Sequence, residues 1–215
     1  MTASKSATPI PASRDAERTQ AAILKAARDE FAEHGFAGGR VDRIAQRAGI
    51  NKRLLYYYYG NKDDLFLTVL ESTYGDIRAA EQMLHLDMLD PVDALRQLVS
   101  FTWNYHVDHP EFISLLGSEN LLRASHLKES KKILEMNSPL IQMLDTVLER
   151  GRRQGIFRAG IDPVQLYISI ASLCFFYLSN NYTLSAIFGR NLLMPKALAE
   201  RLSHITDLVL GYAIL

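Results

Sequence analysis

Apolar side chains recur at helical spacing along almost the whole chain after its first dozen residues. One stripe runs from Ile23 to Phe31 and ends at Gly35, and a second runs over residues 41–48 and stops at Gly49. Apolar positions at i, i+3, i+4 and i+7 are typical of an amphipathic helix, and glycine is common directly after a helix. The pattern therefore predicts two helices joined by a short connection.

The same pattern predicts further helices in the rest of the chain. Asn51 can cap a short third helix, and a longer fourth helix follows from about Asp63. Asp90-Pro91 and Asp162-Pro163 each combine a capping residue with a first-turn proline. The other predicted helical stretches span residues 111–123, 130–153 and 195–212. Because no convincing pair of alternating strands accompanies them, the predicted fold is all-α, with about nine helices.

Composition and spacing divide the chain into three predicted parts. Residues 1–13 are rich in Ser, Thr, Ala and Pro and are predicted to form a disordered tail. A helix-turn-helix domain is predicted over residues 14–62, and a larger helical body over residues 63–215. The chain as a whole is 48% hydrophobic and 22% charged, which excludes a disordered or collagen-like protein.

Three features bear on the cellular compartment. The single cysteine, Cys174, excludes a disulfide framework within one chain and indicates a reducing compartment. The N-terminal residues lack the apolar run of a secretory signal. Residues 164–189 contain no Asp, Glu, Lys or Arg, but their more apolar part would extend only about 22 Å as a helix, against about 30 Å of membrane hydrocarbon. We expect a cytoplasmic protein in which this segment is buried between the core and a partner subunit.

Charge is segregated along a chain whose formal net charge is zero. Residues 1–62 hold 11 basic and 6 acidic side chains, and six of these cations fall between residues 40 and 62 with one acid, Asp42. The turn centred on Gly49 has the spacing of a helix-turn-helix. A cationic helix-turn-helix indicates contact with DNA phosphates. The alternative is a solvated helix face without a partner.

The N-terminal motifs resemble those of the TetR family of bacterial transcriptional regulators. The resemblance covers about 50 residues, from Ala21 to Leu70. It is carried by Gly35-Phe36, Ile44-Ala45, Ala48-Gly49-Ile50, Leu55-Tyr56-Tyr57 and Asn61-Lys62-Asp63-Asp64-Leu65. It implies a three-helix DNA-binding head, a variable helical ligand-binding body, and a homodimeric protein that in most members is a repressor.

The resemblance also implies which side chains meet DNA. Lys52, Arg53 and Tyr57 would read or approach bases, whereas Tyr58 and Tyr59 are expected to pack inside the head. Phosphates would be held by Asn51, Tyr56 and Lys62. The complete set of predicted DNA-binding residues is Arg40, Arg43, Asn51, Lys52, Arg53, Tyr56, Tyr57 and Lys62.

Two positions depart from the family pattern. Arg40 stands where the family usually has Thr or Ser, so Gly39 is expected to serve as a weaker helix cap. Arg53 replaces a residue that is often small. Its guanidinium could contact a guanine or a phosphate, and the sequence leaves both contacts open.

The C-terminal half resembles a TetR subgroup that includes nicotinate-degradation repressors and is related to regulators of pyrimidine use. The motifs are His109-Pro110-Glu111-Phe112, Glu119-Asn120, Leu173-Cys174-Phe175-Phe176, Asn180-Asn181-Tyr182 and Ile187-Phe188-Gly189. The resemblance does not name an effector.

An effector pocket is predicted among the aromatic, methionine and polar residues of the body. Polar side chains among apolar ones orient a ligand, and an aromatic molecule is one candidate effector. The alternative is an ordinary core with capping hydrogen bonds. The predicted effector-binding residues are Trp103, His106, Phe112, Glu119, Asn120, Met143, Phe176 and Asn180, with Tyr105, Met136, Phe175 and Tyr177 in the same group.

The last two long helices carry more apolar surface than one core requires. In the TetR family, helices at these positions form a four-helix dimer interface, and one apolar patch can meet its own copy across a two-fold axis. The predicted interface residues are Leu166, Ile170, Leu173, Tyr177, Leu198, Leu202, Ile205 and Val209.

No metal, cofactor or catalytic residue is predicted. His106 and His109 have a spacing that could bind a metal, but Pro110 places His109 at a helix end, where the helix dipole favours histidine. The chain has no Gly-x-Ser-x-Gly, phosphate-binding glycine loop or Cys/His signature.

The expected function is ligand-responsive, sequence-specific regulation of transcription. We expect a repressor that a small molecule releases from a pseudo-palindromic operator. One alternative is an architectural or division-linked DNA-binding protein without an effector. The other is an enzyme or small-molecule binder whose helix-turn-helix is vestigial.

Overall fold

A computed structural model describes residues 13–215, except for the side chains of Ser13, Leu134, Asn137 and Ser138. The predicted tail therefore lies outside the described residues, apart from Ser13, which begins the first helix. The chain forms two compact units, which divide between Val69 and Leu70. The predicted functional division after residue 62 stays a prediction.

The described residues contain ten α-helices and two short 3-10 helices, Leu86–Met88 and Leu127–Glu129. The α-helices are α1 (Ser13–Gly38), α2 (Val41–Arg47), α3 (Lys52–Tyr59), α4 (Lys62–Gln82), α5 (Pro91–Asp108), α6 (Pro110–Leu121), α7 (Lys131–Arg153), α8 (Pro163–Ser179), α9 (Asn181–Phe188) and α10 (Pro195–Ala213). The all-α prediction is confirmed. The additional helix is α9, because the uncharged segment breaks at Asn180 and continues as a separate helix.

In the first unit, α1 continues past its predicted end. Gly35 has φ 65° and ψ 176°, so the regular helix is interrupted there, and helical structure then resumes as far as Gly38. Glycine adopts such a positive φ without a steric penalty. Phe31, Phe36 and Phe66 form a cluster of rings around this kink, with neighbouring ring centroids 5.0 to 6.2 Å apart.

The second unit is organised around α5, which packs against α6, α7, α8 and α10. Its apolar face contributes Leu95, Leu98, Val99 and Trp103 to a core that is completed by the buried faces of α7, α8 and α10. The end of the chain is attached to the same core, since Phe157 and Ile214 form an isolated β-bridge.

The predicted proline starts of α5 and α8 are confirmed, but their caps differ. The Asp162 side chain accepts a hydrogen bond from the Gln165 backbone N–H at 2.9 Å. Asp90 occupies the predicted N-cap position before Pro91, but its side chain makes no cap hydrogen bond. None of the helices in the described part of the chain combines the length and apolar character needed to cross a membrane.

Candidate DNA-binding surface and ligand cavity

The connection between α2 and α3 has helix-turn-helix geometry that local hydrogen bonds fix. Gly49 has φ 68°, a left-handed conformation that suits glycine at the end of a helix. The Ile50 N–H donates to the Ala45 carbonyl at 3.0 Å. The Asn51 side chain then accepts from the Leu54 N–H at 2.8 Å and caps α3, as predicted.

The sides of α3 are divided between the core and the exterior of the unit. Leu55 is fully buried, and the Tyr59 hydroxyl donates to the Gln20 carbonyl at 2.9 Å. Tyr57 is 67% exposed, and Tyr56 is also exposed. The predicted orientations of these side chains are confirmed, with Lys52, Arg53, Tyr56 and Tyr57 outward and Tyr58 and Tyr59 more enclosed.

The arginines of α2 are paired with acids of α1. Arg43 Nε donates to Glu30 Oε1 at 2.6 Å, and Arg43 Nη2 donates to the Gly38 carbonyl at 2.9 Å. Arg47 donates to Glu33 and lies 3.7 Å from Glu30 Oε2. Residues 40–62 carry six cations and one acid, a net charge of +5, but that count leaves out these carboxylates because they lie on the preceding helix. With Glu30 and Glu33 included, the net charge becomes +3.

Glu30 also explains how α2 begins without a Ser or Thr cap. The Arg40 backbone N–H donates to Glu30 Oε1 at 2.9 Å, and the Arg40 side chain makes no cap bond. Glu30 therefore takes the capping role that was predicted for Gly39. Burial opposes its ionisation, but the bonds from Arg43 and the Arg40 backbone dominate, and the pKa of Glu30 is lowered.

The remaining predicted DNA-binding cations differ in their surroundings. Lys52 Nζ lies 2.9 Å from Asp42 Oδ1, which raises the pKa of Lys52 and lowers that of Asp42. Lys62 Nζ lies over the Phe36 ring, 4.6 Å from its centroid. Arg53 is exposed, and the described residues form no ion pair with it. Arg53 is thus the outward cation of α3 that is best placed to meet a new anionic partner.

A cavity of about 470 Å³ lies inside the second unit, between α4, α5, α6, α7 and α8. Its size is in the ordinary range for a small-molecule site. Its described lining consists of Tyr74, Ile77, Arg78, His106, Phe112, Leu116, Asn120, Leu140, Ile141, Val164, Tyr167, Ala171, Ser172 and Phe175.

The lining includes His106, Phe112 and Asn120, three of the eight predicted effector-binding residues. Burial lowers the pKa of His106 to about 4, so this side chain is neutral near pH 7. Met143 lines a smaller neighbouring cavity of about 150 Å³, which shares Arg78 and Leu140 with the larger one.

The other four predicted effector-binding residues lie elsewhere. Trp103 is in the core against Tyr177, and Phe176 is 59% exposed on α8. The Asn180 side chain donates to the Phe176 carbonyl at 3.0 Å. Glu119 is buried, and its Oε1 accepts from the backbone N–H groups of His126 and Leu127 at 2.8 and 3.0 Å. Asn180 and Glu119 therefore form hydrogen bonds with backbone groups at helix ends. Capping hydrogen bonds of this kind were the alternative to a ligand site in the sequence analysis.

Family models match both units. The model described as bacterial regulatory proteins, tetR family, matches residues 23–69, and the model described as the tetracyclin repressor-like C-terminal domain matches residues 91–209. The chain belongs to the TetR family. It is therefore a DNA-binding transcriptional regulator.

Individual TetR relatives match most or part of the chain. The HTH-type transcriptional repressor NicS of Pseudomonas putida is 42% identical over 197 residues, which cover 92% of this chain and 93% of the relative. The repressor SCO4008 of Streptomyces coelicolor is 45% identical over 112 residues, or 51% of this chain and 54% of the relative. The solved structure of the regulator SCO4942 from Streptomyces coelicolor has a TM-score of 0.69 and 24% identity, and the match covers 91% of this chain and 98% of that one.

The predicted dimer residues of this TetR protein lie on the inner faces of their helices. Leu166, Ile170, Ile205 and Val209 are buried in the core of the protomer itself. Leu173, Tyr177, Leu198 and Leu202 are partly buried against that core. The first four therefore pack inside the protomer, and the interface stays a prediction for the four that are partly exposed. The exposed apolar side chains of α8 and α10 are Val164, Ile168, Phe176, Leu208 and Tyr212.

Sequence reasoning did not single out Arg78, Tyr74 or Tyr167 as residues of the cavity. Arg78 is 5% exposed and lies one turn before the buried Glu81 on α4. An Arg and a Glu three residues apart on a helix usually form a solvated pair. The sequence did contain one sign that Arg78 and Glu81 are buried, because their neighbours Ile77, Ala79 and Ala80 are all apolar.

Proposed function

We propose that the protein is a homodimeric repressor that binds a pseudo-palindromic operator in the cytoplasm and leaves it when a small molecule occupies the cavity of the second unit. The TetR family assignment gives the general class of regulator. The repressor name of NicS, which is 42% identical over nearly the whole chain, supports repression.

The single observation that carries the DNA-binding surface is the outward side of α3. Lys52, Arg53, Tyr56 and Tyr57 are exposed together on one eight-residue helix that follows the helix-turn-helix connection. In such units the N-terminal part of the second helix reaches base edges in the major groove. Phenolic hydroxyls and cations also bind phosphate oxygens. The Asn51 side chain is already engaged in capping α3. We therefore propose that Asn51 contacts a DNA phosphate through its backbone and not through its side chain.

Two heads related by a two-fold axis would occupy major grooves about 34 Å apart, which is why the operator should be a pseudo-palindrome. Dimerisation through α8 and α10 is supported by exposed apolar side chains on both helices, namely Ile168 and Phe176 on α8 and Leu208 and Tyr212 on α10. An isologous contact buries the same patch on both copies.

The cavity supports regulation by a ligand over an architectural role without an effector. It is lined by α4, the helix that begins in the first unit and ends in the second. A ligand that favours one state of α4 by about 1 to 3 kcal/mol would lower operator affinity about 5- to 150-fold.

Fluorescence anisotropy with duplex DNA from the region upstream of the gene tests DNA binding. We expect the double variant Lys52→Ala/Arg53→Ala to bind at least about 100-fold more weakly, because it loses both phosphate and base contacts. The matched control is Arg96→Ala/Lys196→Ala, which removes two exposed cations of the second unit and should bind within about twofold of the wild type. Equal loss in both variants, or no loss in either, would contradict α3 as the binding surface.

A further inference from the structure

One acid lies among the six cations of residues 40–62, and it pairs with a cation of α3. This acid is Asp42, which is in the first turn of α2. Its Oδ1 lies 2.9 Å from Nζ of Lys52, the first residue of α3. The ion pair therefore connects the N-terminal turns of the two helices that form the helix-turn-helix.

The carboxylate and an aromatic ring together restrain the Lys52 ammonium. Besides its contact with Asp42, Lys52 Nζ lies over the Tyr56 ring, 5.9 Å from its centroid. A lysine side chain has a flexible four-carbon stem, so an unpaired ammonium samples many positions. Sequence is read by hydrogen bonds to atoms at defined points on the base edges, whereas phosphate contacts carry no sequence information. A restrained ammonium is therefore suited to reading a base.

Lys52 differs in its electrostatic setting from its neighbour Arg53. Arg53 is exposed, and within the described part of the chain no acid forms an ion pair with it. Its full charge is available to DNA phosphates and to the release of counterions. The charge of Lys52 is compensated by Asp42, so the two side chains together attract phosphates only weakly.

The ion pair is accessible to DNA. The side chain of Asp42 is 70% exposed and that of Lys52 is 46% exposed. An ammonium has three N–H donors, so contact with one carboxylate oxygen leaves donors for a second partner. A phosphate that approaches Lys52 also approaches the Asp42 carboxylate and is repelled by it, whereas a neutral base is not. Asp42 therefore favours base contacts of Lys52 over phosphate contacts.

We propose that Asp42 is a specificity-determining residue, which positions Lys52 against a base edge in the major groove and keeps it from phosphates. The acceptors that suit the ammonium there are the O6 and N7 atoms of guanine. The ion pair stays intact in the complex, and Asp42 acts through Lys52. This inference rests on the proposed use of α3 as the DNA-binding surface and adds the acid of α2 that directs it.

Fluorescence anisotropy with two duplexes tests the role of Asp42. One duplex comes from the region upstream of the gene, and the other is a shuffled sequence of the same length and composition. We expect Asp42→Asn to bind the shuffled duplex several-fold more tightly, because Lys52 becomes free to contact phosphate. The ratio of the affinities for the upstream and shuffled duplexes should fall at least about fivefold. An unchanged ratio would overturn the proposal, and a gain of affinity for shuffled DNA cannot come from a loss of folded protein.

The salt dependence of binding to the shuffled duplex measures the change in phosphate contact. For Asp42→Asn, the slope of log K against log salt should become steeper by about one unit for each head that binds. A slope equal to that of the wild type would show that Asp42 does not keep Lys52 from phosphates.

Asp29→Asn is the matched control. Asp29 forms an exposed ion pair with Lys25 on α1, also at 2.9 Å, so this variant removes the same charge from the same unit. It should change the affinities for both duplexes by the same factor, within about twofold, and leave the salt slope nearly unchanged. A fall in the ratio as large as that of Asp42→Asn would show that net charge alone is responsible and would overturn the proposal.

A double-mutant cycle tests whether Asp42 acts through Lys52. In a Lys52→Gln background, Asp42→Asn should leave the affinity ratio unchanged, because there is no ammonium to direct. The same fall in that background would show that Asp42 acts on DNA by itself and would exclude Lys52 as the group that it positions.

The variant Lys52→Ala/Arg53→Ala separates this inference from the proposed function. If that variant loses binding as expected but Asp42→Asn keeps the wild-type ratio, the role of Asp42 is wrong and the α3 surface stands. If that variant binds like the wild type, α3 is not the DNA-binding surface and the proposed function loses its support at this helix.

Discussion

Glu30 in the first unit and Glu81 in the second are both buried carboxylates next to arginine, but different numbers of groups hold them. Glu30 Oε1 accepts two hydrogen bonds, from the Arg40 backbone and from Arg43, and Arg47 lies near Oε2. Glu81 has one cation, Arg78, from its own helix and no well-formed hydrogen bond among the described residues. The first arrangement joins α1 to α2, whereas the second pairs two residues of the same helix, α4.

The largest difference between the two acids should be in stability. Glu30→Ala removes the cap of α2 and a partner of Arg43, so we expect it to lower the free energy of unfolding of the first unit by about 2 kcal/mol. Replacement of both partners of the second pair, Arg78→Gln/Glu81→Gln, should change the stability of the second unit by less than about 1 kcal/mol, because it removes the ion pair and its desolvation together and leaves no uncompensated buried charge.

Urea denaturation measures both effects with two probes. Trp103, the only tryptophan of the chain, reports on the second unit by fluorescence, and far-UV circular dichroism reports on both units. For Glu30→Ala, the dichroism transition should shift more than the Trp103 transition. A larger loss for the double variant Arg78→Gln/Glu81→Gln than for Glu30→Ala would reverse the comparison.

The next effect concerns inward and outward arginines of the first unit. Arg53→Ala should reduce the slope of log K against log salt for operator binding by about one unit, because an exposed cation that meets phosphate releases counterions on binding. Arg43→Ala should leave this slope nearly unchanged, since Arg43 is already paired with Glu30. Anisotropy titrations at four salt concentrations measure both slopes, and equal reductions would show that Arg43 leaves Glu30 to bind DNA.

The smallest expected effect is the acid sensitivity that Glu30 confers. Its pKa is lowered in the folded protein, so its stabilising contribution is present above the unfolded value of about 4.5 and is lost as the pH falls through the folded value. The difference in unfolding free energy between wild type and Glu30→Gln should therefore narrow by about 1 kcal/mol between pH 6 and pH 3. Denaturation curves across this range measure it, and a constant difference would contradict the stabilised charge.

Local signals in the sequence were enough to predict most of the fold. Gly49 and Asn51 fix the helix-turn-helix because their roles depend on neighbours within a few residues. The break at Asn180 was not predicted, because no proline or glycine marks it inside the uncharged segment. Helix periodicity also identified the buried faces of α8 and α10 but could not say whether those faces meet the protomer or its copy.

Pairing between distant residues accounts for what was missed in the candidate sites. Arg47 and Glu33 are 14 positions apart, so counting charges in one segment overstated the free positive charge. Arg78 and Tyr167 are 89 positions apart, and their hydrogen bond gives Arg78 a place in a cavity that its own helix does not reveal. His106 and Phe112 were found because aromatic and polar residues among apolar ones are a signal in themselves.

Arg43 and Arg47 form ion pairs with acids of α1, which restricts the positions at which substitutions can change operator preference without weakening the fold. Substitution of Arg43 or Arg47 would break the ion pairs with Glu30 and Glu33 that hold α2 against α1. The outward residues of α3 do not take part in those ion pairs. Exchange of only Lys52, Arg53, Tyr56 and Tyr57 should therefore redirect the protein to a different promoter while its inducer stays the same. Gene duplication could in this way give two regulators that respond to one metabolite at separate sets of genes.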